Sequence, residues 1–436
     1  MQRWAFPALS FRAAARAFVR ILPGLAATLG VAVVGIASGG YFPRTWRLST
    51  IAFGALACAA LLARRRILLG RRDWAFLALV AALTVWTALS ARWSGAYETS
   101  ILEAERTSVY LVAAIAILVG IERRALAQLL GGLVIGATAV SAYGLGKYVI
   151  GGHPLNPIEG KLLFEPIGYA NGLGIYAAMA IVIAVGLALA VHSWVARGAA
   201  LASLAVLGPT LYLTSSRGAD LAVAAGLVTI AAMSRRISRL GAAVLGAAAL
   251  AAVLAVALVS AREHGIAAQL VGKNRPYYWH VAWKEYRLNP ITGSGAGTFD
   301  SFWLHYRPVS SFARDAHSLY VETLAELGPL GLALVVLALA VPLFALRRRG
   351  DPLLAAAGAG FVAFVVHAAV DWDWELPSVT LAGLACGAAL LAGSRREYGA
   401  RGIGPRARLL LLAVASALAV VAIVRLRNGP ILPFTS

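Results

Sequence analysis

Charge is scarce in this sequence. Of its 436 residues only 13% are Asp, Glu, Lys or Arg while 60% are hydrophobic, against about 25% charged in an ordinary soluble domain. A chain so composed cannot clothe a globular surface in polar groups, which excludes a soluble globular protein. Cysteine is rare as well, and both copies, Cys58 and Cys386, lie inside long apolar runs. Thiols placed that way form neither a disulfide framework nor a ligand cluster, and each reads as a small hydrophobe. His280, His305 and His317 have no paired spacing of the zinc-helix kind and the carboxylates are scattered, so no metal site is expected. NPITGSGAGTF supplies Gly293, Gly295 and Gly297 but lacks the flanking strand and helix of a dinucleotide fingerprint. It predicts a tight turn with close backbone approach. No sequence repeat is present.

What the chain does have is long apolar runs. A helix rising 1.5 Å per residue crosses a hydrocarbon core of about 30 Å in roughly 17 to 25 residues. About thirteen such runs lie near 21–39, 48–63, 74–90, 108–121, 125–149, 167–191, 198–214, 219–233, 240–260, 328–346, 353–370, 376–393 and 408–424. The expected fold is therefore an all-α polytopic membrane protein of about 12–13 transmembrane helices with one long external loop containing amphipathic helices. Arg3, Arg12, Arg16 and Arg20 ahead of the first run favour a retained anchor over a cleaved signal.

The net charge of +20 would suggest a nucleic-acid partner in a soluble protein. Placing the N-terminus in the cytoplasm assigns 1–20, 64–73, 122–124, 192–197, 234–239, 347–352 and 394–408 to that side. Those segments hold 23 of the 39 basic residues but only four of the 19 acids, Asp73, Glu122, Asp351 and Glu397. The whole excess is thus the positive-inside bias of a membrane protein, and no nucleic-acid partner is expected.

Three regions follow: an N-terminal transmembrane bundle over 1–260, a long external loop over 261–327, and C-terminal transmembrane helices with a short tail over 328–436. The loop is too aromatic to be disordered, carrying among others Tyr277, Tyr278, Trp279, Trp283, Phe299, Trp303 and Phe312. It predicts a folded cap. Within it, 274–288 reads as an amphipathic helix with Asn274 as cap and Pro276 in the first turn. Trp279, Ala282, Trp283 and Tyr286 form its apolar face, expected to rest at the membrane interface.

Polar groups at the depth of spanning helices are costly, so those present are candidates for function. Arg217, in LTSSRGADLA between the seventh and eighth runs, fits either a salt-bridged arginine closing a turn at Gly218 or an anion clamp. Arg275, at the start of the cap helix, is either a solvated cation or a second anion-binding group aided by the helix N-terminus. His317, beside Arg314 and Asp315, fits a proton acceptor or a helix cap, with Glu322 and Glu326 on a polar helical face. Asn171 opens the sixth run, where an amide can bond a neighbouring helix. DWDWE, Asp371 to Glu375, reads as an exposed acidic and aromatic turn serving as an interfacial anchor.

Taken in order, Asn171, SSRG at 215–218, the loop opening NRPYYWHVAWKEY, NPITGSGAGTF and AHSLYVETLAELGPLG resemble the O-antigen ligase and polymerase superfamily. The resemblance covers most of the membrane region and is most specific from Arg275 to Gly331. It implies a membrane glycosyltransferase that moves a glycan from undecaprenyl diphosphate to a hydroxyl acceptor, which is a glycan, the lipid A core or another hydroxyl. It also implies work at the outer face of the bacterial inner or plasma membrane without cofactor or metal. Arg217 and Arg275 match the family's diphosphate-binding arginines and His317 its loop histidine, with Arg314 and Asn171 as supporting residues. The competing class is a transporter or flippase of lipid-linked oligosaccharides. Such proteins carry repeated halves and midplane sites, whereas here the polar candidates crowd one face and one asymmetric loop.

Overall fold

A segment crossing a bilayer has to satisfy its backbone N–H and C=O groups internally, so the apolar runs become helices. The structure is a computed structural model that describes residues 11–151, 159–233, 274–347, 349–395 and 399–429, with residues 238 and 244. The run at 240–260 and the first part of the cap, 261–273, lie outside the described residues. The helices preceding them are α1 (Phe11–Ile36), α2 (Pro43–Ala63), α3 (Arg71–Ser90), α4 (Tyr97–Gly120), α5 (Leu126–Ile150), α6 (Ala170–Ala190), α7 (Trp194–Ala202), α8 (Leu204–Thr214) and α9 (Arg217–Met233). Those following are α10 (Arg275–Leu288), α11 (Phe299–Tyr306), α12 (Leu319–Leu343), α13 (Pro352–His367), α14 (Pro377–Ser394) and α15 (Pro405–Asn428). Among the described residues eight helical stretches are long and apolar enough to cross a bilayer, and the chain is an all-α polytopic membrane protein.

The axis of the bundle is α14, every residue of which is buried. Its Gly, Ala and Leu side chains let α4, α12 and α13 approach from different directions. Around it α1 packs on α5, α9 and α6 on α13, and α2 on both α4 and α15.

Connections assigned to the same side by the charge map meet one another, as alternating spans require. At one end, a short strand at Leu68–Leu69 pairs antiparallel with Arg401–Gly402. Beside it Arg395 binds Asp73 at 3.0 Å, and Arg123 binds Asp351. At the other end, Arg47 and Arg425 both bind Glu105.

The cap is folded. Tyr278, Val281 and Ala282 of α10 pack with Phe299 and Trp303 of α11 and with Ala325 of α12. The face of α10 buried in the cap is Tyr278, Val281, Ala282 and Glu285, so Ala282 belongs to that face, while Trp283 is 53% exposed. Glu285 has its partners inside the cap, bonding Ser294 and Thr298. Asn274 precedes the helix without a side-chain capping bond.

The glycine segment is the predicted tight turn. Gly293, Gly295 and Gly297 all have positive φ. A Cβ at Gly293 would stand 2.3 Å from the carbonyl of Glu326, so only glycine lets the turn lie on α12. The Glu326 carboxylate then accepts from Gly297 N at 2.8 Å and Phe299 N at 3.0 Å. Helix α12 itself breaks at Gly328, φ 68°, just before Pro329. The break separates residues 319–327, which pack on the cap, from the apolar run at 328–346.

Candidate active site

Five residues after α13 organise the site. Asp371, Asp373 and Glu375 are 1%, 1% and 3% exposed, so DWDWE is no exposed interfacial anchor. Acid density suggests solvent only while the partners are unknown, and each of these acids has a cationic or polar partner brought from elsewhere in the chain.

Asp371 is the hub. Its Oδ2 accepts from Arg275 Nη2 at 2.5 Å and from Asn171 Nδ2 at 2.7 Å. Its Oδ1 accepts from the Tyr169 hydroxyl at 2.6 Å and from Trp372 N at 2.8 Å. Burial by itself would raise this carboxyl, but the Arg275 guanidinium foremost, with His367, His317 and the Tyr169 hydroxyl, holds it below the usual carboxylate range. The α10 helix thus begins with an arginine anchored at the junction of α6, α13 and α14. Trp372 packs against Tyr169 at a tilt of 32°, with ring centroids 4.6 Å apart.

His317 lies where the cap runs into α12. Its backbone has φ 54°, a left-handed conformation uncommon for a residue with a side chain. The ring lies against Tyr278 at 4.8 Å, and Nδ1 is 2.9 Å from the carbonyl oxygen of Asp315. That carbonyl can only accept, so Nδ1 carries the proton and Nε2 presents its lone pair. Burial is the main influence on the ring and lowers its pKa, opposed by Asp371 and assisted by Arg275. Ser318, the next residue, is the helix cap, accepting from Val321 N.

Arg217 is the first residue of α9, exposed, after a turn in which Ser215 has φ 51°. The next residue, Gly218, lies against His367 and Val370, directly before Asp371. Arg275 binds this connection, His317 feels the Asp371 charge, and the residue after Arg217 lies against its start, although the three come from distant parts of the chain.

A second layer surrounds them. Arg106 of α4 reaches Glu375 at 2.8 Å and also binds Glu103. Asp315, Glu322 and Glu375 have carboxylate oxygens within 4.8 Å of one another, close enough for a metal ion. Burial foremost and then Glu375 push the Asp315 carboxyl well above the usual range, so it keeps a proton and donates it to Glu375. Glu322 accepts from Ala316 N at 2.7 Å. Arg314 donates to the Tyr41 hydroxyl at 2.6 Å and lies over that ring.

Residues 202–336 match the family model described as O-antigen ligase. The chain is also 24% identical over 335 residues to the exopolysaccharide production protein ExoQ of Rhizobium meliloti (strain 1021), covering 71% of this chain and 74% of that protein. Both matches support the O-antigen ligase and polymerase superfamily.

The stretch matched to the O-antigen ligase model contains Arg217, Arg275 and His317 but neither Asn171 nor the DWDWE connection. Family and relative together support a membrane protein with a ligase or polymerase role in polysaccharide production. What sequence reasoning missed is the receiving side of the site, namely Asp371 with Tyr169, the pair His367 and Asp373, and Arg106 with Glu375. One signal was available: three acids within five residues between two apolar runs need buried cations, and Arg106, just ahead of the fourth run, was unaccounted for.

Proposed function

We propose that this chain is a metal-independent glycosyltransferase that moves a glycan from undecaprenyl diphosphate to a hydroxyl acceptor at the outer face of the inner or plasma membrane. The observation that carries this is the meeting of Arg275, the Arg217 turn and His317 around Asp371. Asp371 takes one nitrogen of the Arg275 fork, and the remaining N–H groups suit phosphate oxygens. Arg217, one residue from the same connection, supplies the second charge.

In the reaction, Nε2 of His317 accepts the acceptor hydroxyl's proton while that oxygen bonds to the anomeric carbon. The bond from that carbon to the diphosphate oxygen breaks, and its electron pair leaves with the lipid diphosphate. The two arginines neutralise the charge that develops there, the largest usual source of stabilisation. A positioned base contributes about 10²–10⁴-fold. The phosphate ester already carries the driving force, so no ATP or cofactor enters, and direct displacement inverts the anomeric centre. The bilayer holds the lipid part of the donor, which explains a site at the end of the bundle.

The relative is named for exopolysaccharide production, which favours a growing exopolysaccharide as the acceptor over the lipid A core. Arg217→Ala, Arg275→Ala and His317→Ala should each abolish transfer in reconstituted membranes while the protein still inserts. Wild-type turnover by all three would end this assignment. Labelling of cysteines placed at 217, 275 and 317 should find all three on the side opposite the 64–73 connection.

A further inference from the structure

The turn between α8 and α9 is gripped from two sides, and one jaw is a histidine that no motif singles out. On the α6 side, a Cβ at Gly174 would stand 2.7 Å from Ser216 Cβ and 2.9 Å from Thr214 Oγ1. On the α13 side, a Cβ at Gly218 would stand 2.9 Å from Nε2 of His367. Neither side has room for one more methyl group, so residues 214–218 are fixed between α6 and the edge of an imidazole.

That imidazole cannot swing. His367 is 0% exposed, and its Nδ1 lies 2.9 Å from Asp373 Oδ1. Among the described residues its Nε2 has no hydrogen-bond partner, although it is buried. An apolar ring of the same size would pack on Gly218 without that loss, so what the imidazole adds is the bond to Asp373 that sets its plane. Asp373 follows Asp371 by two residues. One connection therefore holds Arg275 directly and, through the ring, the residue beside Arg217.

We propose that the His367–Asp373 pair positions Arg217 for the donor's diphosphate by fixing where α9 begins. This rests on the donor reading above. His367 touches Gly218 and acts through Arg217, so it is a positioning residue.

The test is binding of undecaprenyl diphosphate without a glycan to the full chain in nanodiscs. Arg217→Ala should weaken binding on the order of tenfold, as expected for one charged contact. His367→Ala should weaken it by a similar factor, and the double variant should bind no worse than either single one, because both act on one contact. Gly218→Ala should weaken binding too, and adding His367→Ala should restore part of it, since the vacated ring space takes the methyl. Asp373→Asn, which still accepts from Nδ1, should bind better than Asp373→Ala. Amide hydrogen exchange of the 214–220 turn should quicken in His367→Ala.

Wild-type affinity in His367→Ala, or effects of His367→Ala and Arg217→Ala that multiply in full, would overturn the proposal. So would faster exchange in the turn with unchanged binding, which would make the pair structural only. If His367→Ala does not fold, the comparison of Gly218→Ala with Asp373→Asn decides in the same way. Absence of binding by the wild-type chain is a separate result that refutes the donor reading itself.

Discussion

Arg275 and Asp371 offer a way to separate holding the fold from doing chemistry. Their contact is 2.5 Å long between side chains 14% and 1% exposed. Removing one partner of a buried ion pair costs about 3–5 kcal/mol, chiefly because the other charge is left uncompensated. Asp371 keeps donors from Tyr169, Asn171 and Trp372, which puts Arg275→Ala at the low end, about 3 kcal/mol. Replacing both charges removes the penalty. In Arg275→Ala/Asp371→Asn the remaining loss should be that of ordinary hydrogen bonds, about 1–2 kcal/mol. Activity should not follow stability. An arginine that faces developing negative charge is worth about 10²–10³ in kcat, as for other donors of this kind, and the double variant still lacks it. Thermal unfolding in detergent should therefore show a large drop for Arg275→Ala and substantial recovery in the double variant, while glycan transfer stays low in both. Transfer that recovers along with stability would refute the reasoning, because Arg275 would then be only the counter-ion of Asp371.

Three further outcomes are expected. The base form of His317 is the neutral ring, so transfer should fall as pH drops through its pKa, with the acid limb below the ordinary 6.5 because burial disfavours the charge. Arg275→Ala, measured on residual activity, should move that limb up and Asp371→Asn should move it down; shifts of opposite sign would show that another group is being titrated. Gly293→Ala meets backbone at 2.3 Å and adds about 1–2 kcal/mol of left-handed strain, so the cap should loosen, seen as rapid proteolysis. Gly160→Ala, also at positive φ but with nothing within 4 Å, should leave the cap intact. Chelators should not inhibit transfer, since Arg106 and a shared proton balance the acids around Glu375; strong inhibition would assign a metal to Asp315, Glu322 and Glu375.

The helical membrane architecture was legible in the sequence because it is a solvent property: apolar length and the side on which arginines collect depend on no partner residue. The glycine turn was legible as well, because its positive φ values are a backbone requirement, whereas Arg217, Arg275 and His317 each kept two readings on local pattern and were singled out only by the family resemblance. The tertiary structure alone decided which residues receive them. Asp371 looks like surface acid until α6 brings Tyr169 and Asn171 and α10 brings Arg275. His367 looks like one more polar residue near a helix end until Gly218 is found against its ring. Hydrophobicity is written residue by residue, whereas the worth of a buried charge is fixed by the partner that the fold sets beside it.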